Sequence, residues 1–252
     1  MQKNDIFDKY SHYYDLLYKD KDYNSEVEYV HSLISKYSFG AKTLIDFGCG
    51  TGRHDIIFAQ KGYDITGVDL SEKMISIAKK SRIKNVNFLQ GDIRYIRLNK
   101  LFDVAVSLFH VISYQKTNND IKAAFETAKA HVAKDGLFIF DCWYGPAVLT
   151  DKPSIRVKRL ENDVIKLSRK SKPEMHPNEN YVDVIFDVDI MDKKTRIHNT
   201  IKEIHTMRYL FFPEIEMFAT NAGFNILHFE EWMSGKTPHL NSWNVVFICK
   251  HI

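Results

Sequence analysis

The sequence predicts a doubly wound α/β fold, a mostly parallel seven-stranded sheet flanked by helices, into which a second, antiparallel β-sheet is inserted. Three observations carry this. Between residues 43 and 142 apolar, β-branched runs alternate with stretches of helical periodicity, the pattern of βα units around a parallel sheet. Residues 145–212 break the alternation: Pro146, Pro153, Pro173 and Pro177 punctuate segments with the length and turn signals of antiparallel strands. After Pro213 one helix and two strand-like runs resume the first pattern.

Composition sets the outer bounds. A chain of 252 residues with 44% hydrophobic and 27% charged residues is one large domain or one and a half, with ample length for a core. A formal net charge of +3 is too small to argue for a nucleic-acid partner. Cys49, Cys142 and Cys249 are odd in number and lie in or beside predicted strands, which suits a reducing cytoplasm better than a disulfide framework. No run of about 18 apolar residues is present, so no membrane span is expected.

The elements follow in order. Tyr10, Tyr13, Tyr14, Tyr18 and Tyr23 crowd the start, and Tyr10, Tyr14 and Leu17 or Tyr18 share one helical face. Residues 1–37 are therefore read as a helical lid, its second helix running from Asn24 to Tyr37 with Asn24 or Ser25 as cap. Strands are expected at Thr43–Phe47, Tyr63–Leu70, Asn85–Gln90, Phe102–Ser107 and Leu137–Cys142. Helices are expected at His54–Lys61, Glu72–Lys80 after Ser71, and Asn118–Val132, the last ended by Lys134-Asp135-Gly136. The inserted strands are placed at Ser154–Leu160, Val164–Arg169, Tyr181–Met191 and Thr195–Leu210, as a cover for substrate or a face for a second copy of the chain. A helix starting at Pro213 and ending at Asn221-Ala222-Gly223 leads to closing strands at Phe224–Glu231 and Trp243–Lys250. The domain organisation is thus 1–144 with 213–252, interrupted by 145–212.

The chain is organised around Thr43-Leu-Ile-Asp-Phe-Gly-Cys-Gly-Thr-Gly-Arg-His54. A buried strand, the alternate glycines Gly48, Gly50 and Gly52, and a helix start together let a ligand approach the backbone and meet its N–H groups. The spacing is not the G-x-G-x-x-G of a dinucleotide site, since Arg53 and His54 stand where the third glycine would fall, and no Gly-Lys-Ser/Thr follows to bind phosphates. A nicotinamide-dependent reductase is disfavoured on that ground. Asp69 closes the next strand, where a carboxylate can accept from both ribose hydroxyls, and Asp92 with Ile93 closes the one after, where an adenine amino group could donate. Cys49 is read as a small residue filling a tight turn.

Asp46-Phe-Gly-Cys-Gly-Thr-Gly52, Val68-Asp-Leu-Ser71 and Gly91-Asp-Ile93, in that order, resemble the class I S-adenosylmethionine-dependent methyltransferases, whose fold is Rossmann-like. The resemblance implies S-adenosylmethionine as cofactor, its methionine end at Asp46 and the glycine loop, its ribose at Asp69 and its adenine at Asp92. The expected cofactor-binding set is Tyr14, Tyr23, Asp46, Gly48, Cys49, Gly50, Gly52, Asp69, Leu70, Met74, Asp92, Ile93 and Leu108. Aromatic rings of the lid could contact the sulfonium charge.

The acceptor side is read from the strand ends. Phe102–Ser107 leads into Leu108-Phe-His-Val-Ile-Ser-Tyr114, so His110 and Tyr114 emerge at the rim, as does Phe140-Asp-Cys-Trp-Tyr144. The Asp/Asn-Pro-Pro-aromatic tetrapeptide of DNA amino-methyltransferases is replaced by Ser107-Leu-Phe-His110. Tyr14-Asp-Leu-Leu-Tyr18, Lys21-Asp-Tyr23, the glycine loop, Gly91-Asp-Ile-Arg94 and the long insertion are similar to the nucleotide-amino-sugar N,N-dimethyltransferases that make desosamine and mycaminose. That resemblance implies a nucleotide-linked sugar or amino sugar as acceptor, Tyr14 near the methyl group, and the His110–Tyr114 loop facing the sugar. The pattern departs from that family at His110 and Val111, where small residues are usual, and at Tyr114, where histidine can occur. A hydroxyl acceptor deprotonated by His110 therefore stands beside the amine, with catalytic candidates His110, Tyr14 and Tyr114. A non-catalytic S-adenosylmethionine-binding module is the reading from another class. No short metal-ligand spacing occurs, and no metal is expected.

Overall fold

A computed structural model describes residues 16–252. Tyr10, Tyr13 and Tyr14 lie outside the described residues. The main sheet is ordered β3-β2-β1-β4-β5-β11-β10, with β1 at Thr43–Phe47, β2 at Asp64–Asp69, β3 at Val86–Gln90, β4 at Phe102–Ser107, β5 at Val132–Tyr144, β10 at Phe224–Glu231 and β11 at Asn244–His251. β3, β2, β1, β4 and β5 pair in parallel, and β11 runs antiparallel to both β5 and β10. Seven strands in this arrangement match the expected main sheet.

Alternation along the strands separates two apolar layers. Leu44 and Val104 face one side, where they meet Val27, Val30 and Ile34 of α1 (Tyr23–Tyr37) and Phe58 of α2 (Arg53–Gln60). Ile45, Phe47 and Phe138 face the other, against Phe125 of α4 (Asn118–His131) and Phe218 of α6 (Phe212–Asn221). β1 is buried on both faces because helices cover both, which is why it reads as a continuous apolar run. α3 (Glu72–Ala78) starts as expected from Ser71, whose side chain accepts from Met74 N at 3.2 Å.

Two local expectations are corrected. α1 is capped by Asp22, not Asn24 or Ser25: its carboxylate accepts from the Ser25 amide at 2.9 Å and from the Ser25 hydroxyl at 2.6 Å. An ionised cap one turn earlier satisfies the orphan amides and favours the helix dipole. Lys134-Asp135-Gly136 does not cap α4, which ends at His131 and passes directly into β5. It forms an irregularity within β5, between Val132 opposite Phe102 and Leu137 opposite Val104. Asp135 takes φ +66° there, and a Cβ on Gly136 would lie 2.6 Å from the Asp103 carbonyl, so the turn residues serve a bulge.

After β5 a short helix, α5 (Gly145–Thr150), precedes four antiparallel strands: β6 (Arg156–Glu161), β7 (Ile165–His176), β8 (Tyr181–Asp192) and β9 (His198–Leu210). Pro173 lies beyond the last β6 partner, Ser171, where β7 is an edge and a missing N–H costs nothing. The inserted strands are joined to the main sheet. Tyr209 and Leu210 of β9 pair in parallel with Trp143 and Tyr144 at the end of β5.

Candidate active site

A cavity of about 770 Å³ opens at the carboxyl ends of β1, β2, β3 and β4 and continues to the inner face of the inserted strands. Gly48, Cys49 and Gly50 form one wall, Asp69, Leu70 and Met74 the next, and Asp92, Ile93 and Leu108 a third. Tyr23, His110 and Tyr114 also line it. Of the residues expected from the sequence, these line one cavity, whereas Asp46 and Gly52 do not.

The glycine loop is shaped by positive φ. Gly48 sits at +92° and Gly50 at +55°, and a Cβ on Gly48 would come within 2.4 Å of Val111 Cγ2. Asp69 fastens the loop from below: its Oδ2 accepts from Gly50 N at 2.9 Å and its Oδ1 from Ser71 N at 2.8 Å. Desolvation pushes this carboxyl above its ordinary range, outweighing the two amides that pull it down. Each oxygen keeps a second lone pair for a diol in the cavity. Gly52, at φ +77°, is absent from the cavity wall: its missing Cβ admits Phe88 of β3, whose Cζ would otherwise lie at 2.5 Å. Asp92 is gripped by Arg94 through Nε at 2.9 Å and Nη2 at 2.5 Å, and Arg94 also reaches Asp120.

Asp46 lies under the loop beside Asp55, in the first turn of α2, a residue to which the sequence reading assigned no role. Both are buried, and neither Asp46 Oδ1 nor either Asp55 oxygen has a hydrogen-bond donor from elsewhere among the described residues. Desolvation, followed by the charge of Asp55, raises the Asp46 carboxyl well above its ordinary range, and burial pushes Asp55 up to about 7. Two buried carboxyls so placed retain a proton between them. A folded-state value above the unfolded one means that stability falls as pH rises from about 4 to about 7. Asp55→Asn, which supplies a permanent donor to Asp46, is expected to raise the melting temperature of cofactor-free protein at pH 8 and to change it little at pH 4. At about 1.4 kcal/mol per unit the ceiling is on the order of 4 kcal/mol. Thermal scans at both pH values check this, and equal shifts at both would refute it.

The entrance is closed by the segment before α1. Tyr18 packs edge-on against Phe109 at 5.0 Å, and Lys21 Nζ lies 4.4 Å from the same ring. Lys21 is paired with Glu26, which His54 Nε2 also holds at 2.7 Å. Burial opposes ionisation of Glu26, but His54 and Lys21 together hold it below the ordinary range. The glycine-loop helix, α1 and the entrance segment are thereby one electrostatic unit.

At the rim Phe109 and His110 adopt φ +64° and +65°, a strained pair for residues with side chains. Asp141 of β5 holds the second of the two. Its Oδ1 accepts from His110 N at 3.1 Å, and its Oδ2 lies 2.6 Å from His110 Nδ1. Asp141 was seen in the sequence only as a rim residue; its signal was a carboxylate ending the strand next to the one that carries histidine. Tyr114, in a single 3₁₀ turn (Ile112–Tyr114), meets His205 Nδ1 of β9 at 2.8 Å, and His205 Nε2 lies 3.4 Å from Glu203 Oε2. Burial, with Tyr18 and Glu203 adding to it, pushes the Tyr114 phenol above its ordinary range. Among the described residues no group of three or more His, Cys, Asp or Glu is placed to hold a metal ion, and no helix is long and apolar enough to cross a membrane.

The residues present fit S-adenosylmethionine: a diol acceptor at Asp69, a glycine cradle, and the orphan Asp46 oxygen beneath it. Comparison with known proteins agrees. Residues 44–136 match the methyltransferase domain family. The dTDP-3-amino-3,4,6-trideoxy-alpha-D-glucopyranose N,N-dimethyltransferase of Streptomyces venezuelae is 29% identical over 225 residues, covering 88% of this chain and 93% of that protein. Among solved structures, Streptomyces venezuelae DesVI superposes with a TM-score of 0.79 at 25% identity, over 94% of this chain and 97% of that one. The S-adenosylmethionine-bound amino pentose methyltransferase CalS10 of Micromonospora echinaspora superposes with a TM-score of 0.75 at 20% identity, over 93% of both chains. With the glycine loop, the strand-end aspartates and the sheet order in place, residues 44–136 match a methyltransferase domain, and the chain is similar to S-adenosylmethionine-dependent methyltransferases, among them the nucleotide-amino-sugar N,N-dimethyltransferases.

Proposed function

We propose that the chain methylates a nucleotide-linked sugar or amino sugar, bound between the rim loop and the inserted strands. The observation that carries this is the cavity of about 770 Å³, which runs past the glycine loop to Trp143, Arg169 and Met207 and so has room for an acceptor beside the cofactor. The relatives whose names specify dTDP-amino sugars support the acceptor class. S-adenosylmethionine supplies a methyl group on a sulfonium sulfur, with a neutral leaving group. The protein's task is then mainly positioning, which can contribute about 7–11 kcal/mol. In this reading Asp69 and the glycine loop fix the cofactor, and Tyr18, Phe109 and Lys21 exclude water from the entrance. Tyr114, held by His205, orients the acceptor.

A second reading rests on the His110–Asp141 pair. With Nδ1 toward Asp141, Nε2 is left to take a proton from an acceptor hydroxyl, which favours O-methylation. The test is to incubate the protein with S-adenosylmethionine and paired TDP-sugars that differ only in amino or hydroxyl at one carbon, following S-adenosylhomocysteine release and product mass. Turnover of neither member overturns the acceptor class. We further propose that the outward face of the inserted strands, with exposed Val157, receives a second copy of the chain, to be checked by sedimentation.

A further inference from the structure

The inner wall contributed by β6 and β7 carries positive charge that makes no ion pair among the described residues. Arg156 lies directly opposite Ser171, and Lys158 opposite Arg169, so all four share one face of the pair. Lys158 is committed: its Nζ donates to the Leu17 carbonyl at 2.6 Å. Arg169 and Arg156 both line the cavity, and neither takes part in an ion pair among the described residues. Arg169 stacks over the Phe186 ring at 4.5 Å, and its Nη1 is buried with no hydrogen-bond acceptor among the described residues.

The carboxylates of the same cavity are already engaged. Asp69 accepts two backbone amides, Asp92 is held by Arg94, and Asp151 accepts from Trp243 Nε1 at 3.0 Å. Asp141, behind the rim, belongs to His110. A guanidinium turned into a partly closed cavity without an acceptor carries a desolvation cost that a bound anion would remove. Its planar fork suits the two oxygens of a phosphate or carboxylate. The position is also defined: Phe186 lies 5.1 Å from His205, which holds Tyr114, so the guanidinium stands on the side of the cavity formed by the Tyr114–His205 pair.

We propose that Arg169, with Arg156 nearer the mouth, is the oxyanion anchor of the acceptor site, and that the acceptor carries a phosphate or carboxylate group seated there. The proposal rests on the reading of this half of the cavity as the acceptor's, and it assigns the recognition to β6 and β7 and not to the glycine loop. The anchor fixes the acceptor by a group that takes no part in methyl transfer, leaving the reacting atom to the rim loop.

The experiment is calorimetric titration of the full chain with inorganic pyrophosphate and, separately, malonate, each with and without saturating S-adenosylhomocysteine. Saturable binding of either probe is expected, pyrophosphate identifying a phosphate anchor and malonate a carboxylate one. Arg169→Gln should weaken that binding about tenfold or more, Arg156→Gln less, and Arg169→Lys to an intermediate degree because the charge stays and the fork is lost. Affinity for S-adenosylhomocysteine should stay within about twofold in all three, which also certifies that they are folded. Absence of saturable binding by both probes, or unchanged binding in Arg169→Gln, would overturn the proposal while leaving the methyltransferase reading intact. Loss of the acceptor-class reading would instead appear as inert TDP-sugars with anion binding preserved.

Discussion

Asp69→Ala is expected to weaken S-adenosylmethionine binding by about 10²- to 10⁴-fold. The carboxylate stands where two ribose hydroxyls can donate, and a hydrogen bond to a charged group contributes about 1.5–3 kcal/mol. The same two oxygens hold Gly50 N and Ser71 N, so the substitution also unfastens the glycine loop from the start of α3. Asp69→Asn keeps one acceptor oxygen and should fall between the two. Calorimetric titration with S-adenosylmethionine measures the effect, and unchanged affinity in Asp69→Ala would remove Asp69 from the cofactor site.

The second large effect is expected at His110. If the acceptor is a hydroxyl, His110→Ala should lower kcat about 10²- to 10⁴-fold with little change in KM for the cofactor, the range of a lost general base. If the acceptor is an amine, which can attack once deprotonated in solution, the loss should be no more than about tenfold and should shrink as pH rises. Asp141→Asn separates positioning from packing. It removes the charge that faces Nδ1 while keeping one oxygen for the His110 amide, so with a hydroxyl acceptor it should lower kcat, with KM for the cofactor unchanged, and without a matching loss of melting temperature. An unchanged kcat in Asp141→Asn with a hydroxyl acceptor would sink the idea that Asp141 orients a base.

The cofactor half of the site was legible because its determinants are local. Gly48 and Gly50 declare their backbone geometry by being glycine, and Asp69 ends, and Asp92 follows by two residues, a strand whose apolar run is visible in the sequence. The sheet, the inserted strands and the cavity wall followed from the same short-range signals. The acceptor half was not legible, because its pairs are remote: Tyr114 and His205 are separated by 91 positions, and His110 and Asp141 by 31. Arg169 sits in a strand whose alternation is loose, since the face turned to the cavity is itself partly polar and defeats the period-2 signal. Asp55 was hidden by a different cause. An acid in the first turn of a helix is what the dipole favours on any surface, and only the three-dimensional neighbour Asp46 makes it unusual.

The two parallel bridges between the end of β5 and the end of β9 make the inserted hairpins a lever rather than an appendage. Trp143 and Tyr144 are two and three residues from Asp141, and Tyr209 and Leu210 are four and five from His205. A load applied to β6 and β7, as by an acceptor seating on their inner wall, is transmitted through hydrogen-bonded strand to the element that sets the angle of the His110 ring. For anyone exchanging this insertion between relatives to retarget the enzyme, the junction at Trp143–Leu210 is therefore the part to keep in register, because a graft that slips there would detune the rim even with every wall residue correct.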